Sequence, residues 1–195
     1  MADFIRLKDK ESFIEIGSGV GCLSFIIFDR YPNFKRAMLV EIQTEVFNVL
    51  KRNIEENELQ DKVILVNSDA RNLPSLFPHL ANSFDIVFTN PPHIKRGRGR
   101  ISPSESKVIS TTETLLTLDD IGRISSYFLK IRGRLYIIHR SERLKEIISN
   151  LDNFGLEVKR ITFVYTSQTK PSKRVLIEAR KGGRPGVIVE PPIFL

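Results

Sequence analysis

Asn90-Pro91-Pro92-His93 stands directly after an apolar run, Phe84 to Thr89. Two prolines remove backbone donors and stiffen a turn, leaving carbonyls free to point outward. The Asn90 amide oxygen and the Pro91 carbonyl can both accept N–H bonds from an exocyclic amine on a conjugated ring. Such an amine is a poor nucleophile because its lone pair is delocalised. Two acceptors localise that density on nitrogen, so attack needs alignment and preorganised electrostatics rather than a strong base. His93 adds an imidazole face for stacking on a base, with a ring that can become charged near neutrality. The plainer reading is a strand-ending Pro-Pro turn.

A second set lies upstream. Glu15-Ile16-Gly17-Ser18-Gly19-Val20-Gly21-Cys22 follows a short apolar run, and alternate glycines let the backbone turn tightly and approach a ligand. A dinucleotide fingerprint needs glycine at the first, third and sixth places; the sixth here is Cys22, so that fingerprint fails. A helix start after the loop would still attract an anion. Glu41 ends the next apolar run, where its carboxylate can accept from two ribose hydroxyls. Asp69, in Asn67-Ser68-Asp69-Ala70, follows the third, where it can accept from an adenine amino group. Taken singly, each is also a solvated turn acid; together they sit at successive strand ends.

The elements that must carry these residues alternate. Phe13–Ile16, Ala37–Val40, Lys62–Val66, Phe84–Thr89 and Leu135–His139 read as strands. Val20–Asp29, Thr44–Asn57, Leu118–Lys130 and Arg140–Leu151 read as helices, the third capped by Thr117 with Asp119 and Asp120 in its first turn. The polar stretch from His93 to about Thr114 lacks periodicity and reads as a loop. Leu156–Tyr165 and Arg174–Ala179 are two strands with no helix between them, so the last one enters antiparallel. This is an α/β chain with a doubly wound, mostly parallel seven-stranded sheet, its ligands bound beyond the carboxyl ends of the strands.

The 195 residues, 41% hydrophobic and 27% charged, fit one globular domain spanning 1–195. A net charge of +7 suits a polyanionic partner. Lys95, Arg96, Arg98 and Arg100 crowd just past the tetrapeptide, where guanidiniums can grip phosphate bidentately beside an extruded base; a solvated loop is the alternative. Lys170, Lys173, Arg174, Arg180, Lys181 and Arg184 form a second basic group. Cys22 is the only cysteine, which excludes an intramolecular disulfide and a cysteine-rich zinc site and fits a reducing cytoplasm; it is expected to be buried. His79 and His139 lack metal-ligand spacing, so no metal is expected, and His139 reads as a packing residue. Ser18 and Ser24 lack a His/Asp pairing, which argues against a hydrolase. No export signal or membrane span is evident. Phe13, Phe25, Phe47, Phe84 and Phe88 read as core.

With those residues in view, the chain resembles the class I S-adenosylmethionine-dependent methyltransferases from Phe13 to Glu178. The resemblance implies S-adenosyl-L-methionine as cofactor, held by Glu15, Gly17, Ser18, Gly19, Gly21, Glu41, Ile42, Asp69, Ala70 and Asn90. The tetrapeptide resembles the Asn-Pro-Pro-Tyr signature of methyltransferases acting on planar nitrogens, with His93 in place of the usual aromatic residue. It implies catalytic roles for Asn90, Pro91, Pro92 and His93, and substrate binding by His93, Lys95, Arg96, Arg98 and Arg100. Later segments, Thr117-Leu118-Asp119-Asp120, Gly133 to Arg140, Arg143-Leu144 and Val175 to Gly183, are similar to the bacterial tRNA1(Val) adenine-37 N6-methyltransferase family. The implied reaction is methylation of adenine N6 in RNA, with tRNA favoured. Guanine N2 in rRNA, DNA adenine N6, protein glutamine N5 and a non-catalytic RNA-binding relic are the alternatives. Members of that family carry a further segment with a Gly-Thr-Asp-like motif ahead of the first strand, and Met1-Ala2-Asp3-Phe4 resembles its end. A shortened start or a naturally open site is therefore expected.

Overall fold

A computed structural model describes residues 1–91 and 116–195. The elements run β1 (Ser12–Ile16), α1 (Cys22–Arg30), β2 (Arg36–Glu41), α2 (Thr44–Glu56), β3 (Val63–Asn67), the four-residue α3 (Leu73–Leu76) and β4 (Phe84–Thr89). After the undescribed stretch come α4 (Leu118–Phe128), β5 (Leu129–Arg140), α5 (Leu144–Asn153), β6 (Leu156–Tyr165), β7 (Arg174–Lys181), β8 (Ile188–Val189) and β9 (Ile193–Phe194).

The strands join in the order β3-β2-β1-β4-β5-β7-β6. Pairing is parallel from β3 through β5, while β7 runs antiparallel to both β5 and β6. The seven long strands and the reversed β7 follow the sequence expectation. The two-residue β8 and β9 are additions, both lying parallel along the outer edge of β6. Strand order reverses at β1, so the chain leaves β1 and β4 on diverging paths and a crevice opens at their carboxyl ends.

Burial explains which runs became strands. All five residues of β1 are buried, as expected of a parallel strand covered on both faces. On one face Ile14, Met38, Val87, Leu135 and Ile177 pack beneath α4 and α5 residues such as Ile121, Ile124 and Ile147. On the other, Phe13, Leu39, Phe88, Tyr136 and Leu176 pack with Ile27, Leu50 and Ile54 and with Phe4, Ile5 and Leu7 of the amino-terminal segment. The rings of Phe13, Phe28, Phe34 and Phe88 form a connected cluster, with centroid separations of 4.8 to 5.9 Å. Phe25 and Phe47 only flank this core, half-buried.

Several boundaries differ from expectation. Helix α4 stops at Phe128, and Leu129 and Lys130 open β5 instead. Leu129 pairs with Phe84 before the register shifts and Arg134 pairs with Ile86; a bulge is invisible to periodicity because it breaks the alternation on which periodicity rests. The amino end of α4 is as expected: Thr117 and Asp120 form a reciprocal capping box. Residues 141–143 form a 3₁₀ turn, so α5 begins at Leu144 rather than Arg140. Cys22 is exposed, contrary to expectation, because α1 turns its Ser24, Ile27 and Phe28 side inward.

Lys181 also departs from its sequence reading as part of a basic surface. Its Nζ donates to Asn82 Oδ1 at 2.6 Å, to the Leu129 carbonyl at 2.9 Å and to the Ser126 carbonyl. It therefore closes the carboxyl end of α4, where carbonyls lack partners within the helix. Lys181→Met should lower stability by about 1.5–3 kcal/mol, the usual worth of hydrogen bonds to a charged group. Urea unfolding at neutral pH measures the loss.

Candidate active site

The glycine loop springs from the carboxyl end of β1. Gly17, Gly19 and Gly21 have φ of 74°, 56° and 96°, left-handed values that side chains rarely tolerate. The Gly17 and Ser18 N–H groups both donate to the Val40 carbonyl, at 2.9 and 3.0 Å, and the Gly21 N–H donates to the Ser18 carbonyl at 2.9 Å. These bonds hold the loop against the end of β2. A Cβ built on Gly17 or Gly19 would meet nothing within 4 Å among the described residues, so these residues leave room there for a ligand. Ser18 Oγ is buried nearby and has no hydrogen-bond partner among the described residues.

Glu15 and Glu41 flank this loop, at the ends of β1 and β2, and Asp69 stands just past the end of β3. Glu41 is buried; its Oε2 accepts from the Gly19 N–H and its Oε1 from the Gln43 N–H, both at 2.9 Å. Ile42 beside it is exposed at 40%, an apolar side chain beside the acid. Glu15 is buried and accepts from the Ser24 hydroxyl. Its carboxyl is pushed up to about 8, chiefly by burial and further by nearby Glu41, against the opposing effect of Ser24. Asp69 caps a short 3₁₀ turn that starts at the buried Ala70. The Arg71 N–H reaches Asp69 Oδ1 at 2.9 Å, and the Arg71 Nε spans both carboxylate oxygens at 3.1 and 3.0 Å. Arg71 holds the Asp69 carboxyl below its usual range. A ligand amine would thus meet a carboxylate already oriented by a guanidinium, a clamp that the sequence reading missed.

The Asn90-Pro91 turn adjoins this loop through strand register. Ile16 pairs with Thr89 across β1 and β4, and the Thr89 Oγ1 donates to the Ile16 carbonyl at 2.9 Å. Gly17 and Asn90 are therefore the next residues on neighbouring strands, which lie about 4.8 Å apart. Asn90 is exposed and Pro91 buried. Both line a cavity of about 480 Å³ with Phe4, Ile138, Arg174 and Leu176, within the size range of small-ligand sites. The assignments to Pro92, His93, Lys95, Arg96, Arg98 and Arg100, and the loop expected from His93 to Thr114, lie outside the described residues. The second basic group divides: Arg174 stands at the carboxyl edge of the sheet, whereas Arg180 pairs with Glu178 and lines a separate cavity with Arg134 and Lys159.

Residues 2–150 match the family model described as the methyltransferase small domain. The chain belongs to that family. A tRNA1(Val) (adenine(37)-N6)-methyltransferase of Porphyromonas gingivalis is 27% identical over 168 residues, covering 86% of this chain but 64% of that protein. A protein of the same name from Trichodesmium erythraeum is 20% identical over 179 residues, covering 91% of this chain and 73% of that protein. Among solved structures, a predicted O-methyltransferase from Agrobacterium tumefaciens superposes with a TM-score of 0.76 at 18% identity, covering 99% of this chain and 84% of that one. The geranyl diphosphate C-methyltransferase of Streptomyces coelicolor, in complex with S-adenosyl-L-homocysteine, gives 0.67 at 14% identity, covering 92% and 79%. These structural likenesses establish the class I methyltransferase fold.

The raised Glu15 carboxyl has a stability signature. Below about pH 4.5, its ordinary value, the acid is protonated whether the chain is folded or not. From there to about 8 the unfolded chain ionises while the folded one stays neutral, so its contribution to stability falls as pH rises and the loss is complete above that window. Glu15→Gln should therefore unfold at a higher temperature than the parent at about pH 8.5, with the advantage shrinking toward about pH 5. Thermal melts of both proteins across that range provide the check.

Proposed function

We propose that residues 1–195 act as one methyltransferase domain that transfers a methyl group from S-adenosyl-L-methionine to the N6 amine of an adenine in RNA, with tRNA the favoured substrate. The observation that carries this reading is the register of β1 and β4, which sets the glycine loop and the Asn90-Pro91 turn side by side. The space left over Gly17 and Gly19 by the described residues, the Ser18 hydroxyl without a partner among them, and the acids at the ends of β1 and β2 fit the cofactor. When bound, the cofactor supplies an electrophilic methyl group on a sulfonium.

The chain's own residues do the rest. Glu41 accepts from the ribose hydroxyls, with Ile42 alongside. Asp69, oriented by Arg71, meets the adenine end together with Ala70, while Glu15, Gly17, Ser18, Gly19 and Gly21 line the methionine end. At the turn, the Asn90 amide oxygen and the Pro91 carbonyl accept the two N–H bonds of the substrate amine. That geometry localises the nitrogen lone pair and points it toward the glycine loop, so no strong base is required before attack; once the nitrogen takes the methyl group and the sulfur leaves as a thioether, the nitrogen gives up one proton to solvent. Pro92 stiffens the turn, His93 supplies the stacking face, and Lys95, Arg96, Arg98 and Arg100 grip phosphate. The names of the Porphyromonas and Trichodesmium relatives favour adenine in tRNA among planar nitrogens. The 26% identity to a release factor glutamine methyltransferase of Chlorobaculum tepidum spans only 44% of this chain.

Incubation with methyl-labelled cofactor and, separately, total tRNA, rRNA, DNA or protein tests the substrate. Label recovered as N6-methyladenosine from tRNA is expected; label confined to protein or DNA overturns the RNA assignment. Asn90→Ala should reduce methyl transfer by about 10²–10³-fold, the cost of losing one preorganised polar contact at a reacting centre, while cofactor affinity measured by calorimetry falls far less, because the glycine loop, Glu41 and Asp69 still hold the cofactor.

A further inference from the structure

Antiparallel pairing of β5 with β7 places Arg140 directly opposite Arg174. Directly opposed cross-strand residues share a face, and like charges in that relation destabilise a sheet. The face is the one carrying Ile138 and Leu176, which line the cavity at Asn90 and Pro91. Lys173 adds a third cation beside them. Against these stands Glu142, whose Oε1 lies 3.6 Å from Arg140 Nη1 and whose side chain is 60% exposed, so the cluster keeps an excess of positive charge.

The backbone under this cluster is tied down. The Ser141 N–H donates to the Lys173 carbonyl at 3.2 Å, and the Ser141 hydroxyl donates to the Ser172 carbonyl. The Ser172 hydroxyl reaches the Val164 and Arg174 carbonyls at 2.9 and 2.7 Å. The β6–β7 connection is thereby fastened to the end of β5, and the cations project from an ordered platform. Arg140, Lys173 and Arg174 line a cavity of about 720 Å³. Arg174 also lines the 480 Å³ cavity that reaches Asn90 and Pro91. Arg174 therefore lines both cavities. A like-charge pair that costs the fold stability, held beside the reaction turn, has the chemistry of a phosphate clamp.

We infer that Arg140, Lys173 and Arg174 bind backbone phosphate of the RNA strand adjacent to the nucleotide held at Asn90-Pro91. The inference rests on the RNA reading above and gives it a second, described contact surface. The clamp is a binding element, separate from the groups that touch the reacting amine.

The experiment is filter binding of an unmodified valine tRNA transcript over a range of salt concentrations, with the parent, R140Q/R174Q and K8Q/R132Q. The last pair removes the same charge from the opposite, amino edge of the sheet, where Lys8 and Arg132 line another cavity. Each phosphate contact to a single strand contributes about 0.7 to the slope of log affinity against log salt. R140Q/R174Q should lower that slope by roughly 1.4, two such contacts, and K8Q/R132Q should leave it unchanged. Thermal unfolding of R140Q/R174Q should occur at or above the parent temperature, because the opposed charges are gone. An unaltered slope in R140Q/R174Q, or an equal fall in K8Q/R132Q, overturns the clamp while leaving RNA methylation standing. Absence of salt-sensitive binding by the parent overturns the RNA reading itself.

Discussion

The pairing of Ile16 with Thr89 is the constraint on which the rest of the site depends. β1 is bonded on both sides, to β2 and β4, and it is where the strand order reverses. A slip of one residue would turn every side chain of a strand to the opposite face, sending Phe13 and Phe88 out of their aromatic cluster. The apolar residues on both faces therefore specify the register, and the Thr89 hydroxyl adds a bond at its last step. Glycine loop and Asn-Pro turn are brought together by core packing, before any ligand contributes.

Burial and charge are balanced differently at the two acids flanking the loop. Glu15 lies within a strand covered on both faces, where desolvation outweighs the hydroxyl of Ser24. Glu41 stands one strand over, at a carboxyl end, and receives main-chain N–H groups from Gly19 and Gln43. One acid thus braces the base of the loop from below and the other ties its crest to β2. Asp69 belongs to a third arrangement, in which a neighbouring guanidinium sets the orientation of the carboxylate.

Much of this was legible in the residues. Short, mostly apolar runs such as Phe13–Ile16 announced buried strands, and alternating glycines announced a tight turn. Glu41 and Asp69 were legible because each stands at or just past the end of such a run. Thr89 was hidden inside its strand, since its value lies in a bond to a residue 73 positions away. Arg71 resembled any surface arginine until its fork was seen on Asp69. Arg140 and Arg174 are separated by a helix, a strand and a loop, so no local pattern could reveal that they face each other. Lys181 looked like surface charge because composition cannot distinguish a solvated ammonium from one that closes a helix.

The reversed direction of β7 has a consequence for how such a protein can diversify. Because β6 runs with β5 and β7 against it, the connection between Tyr165 and Arg174 emerges at the same edge as the glycine loop. A parallel final strand would have needed a long crossover returning to the far edge. The reversal instead leaves a short, mostly exposed segment at the carboxyl edge of the sheet, fastened near its Ser172-Lys173 end to Ser141. Length changes there leave the strand register intact, since lengthening a surface loop costs little free energy. The hairpin is thus a place where the surface beside Arg174 can change in length and composition while the sheet beneath it stays the same.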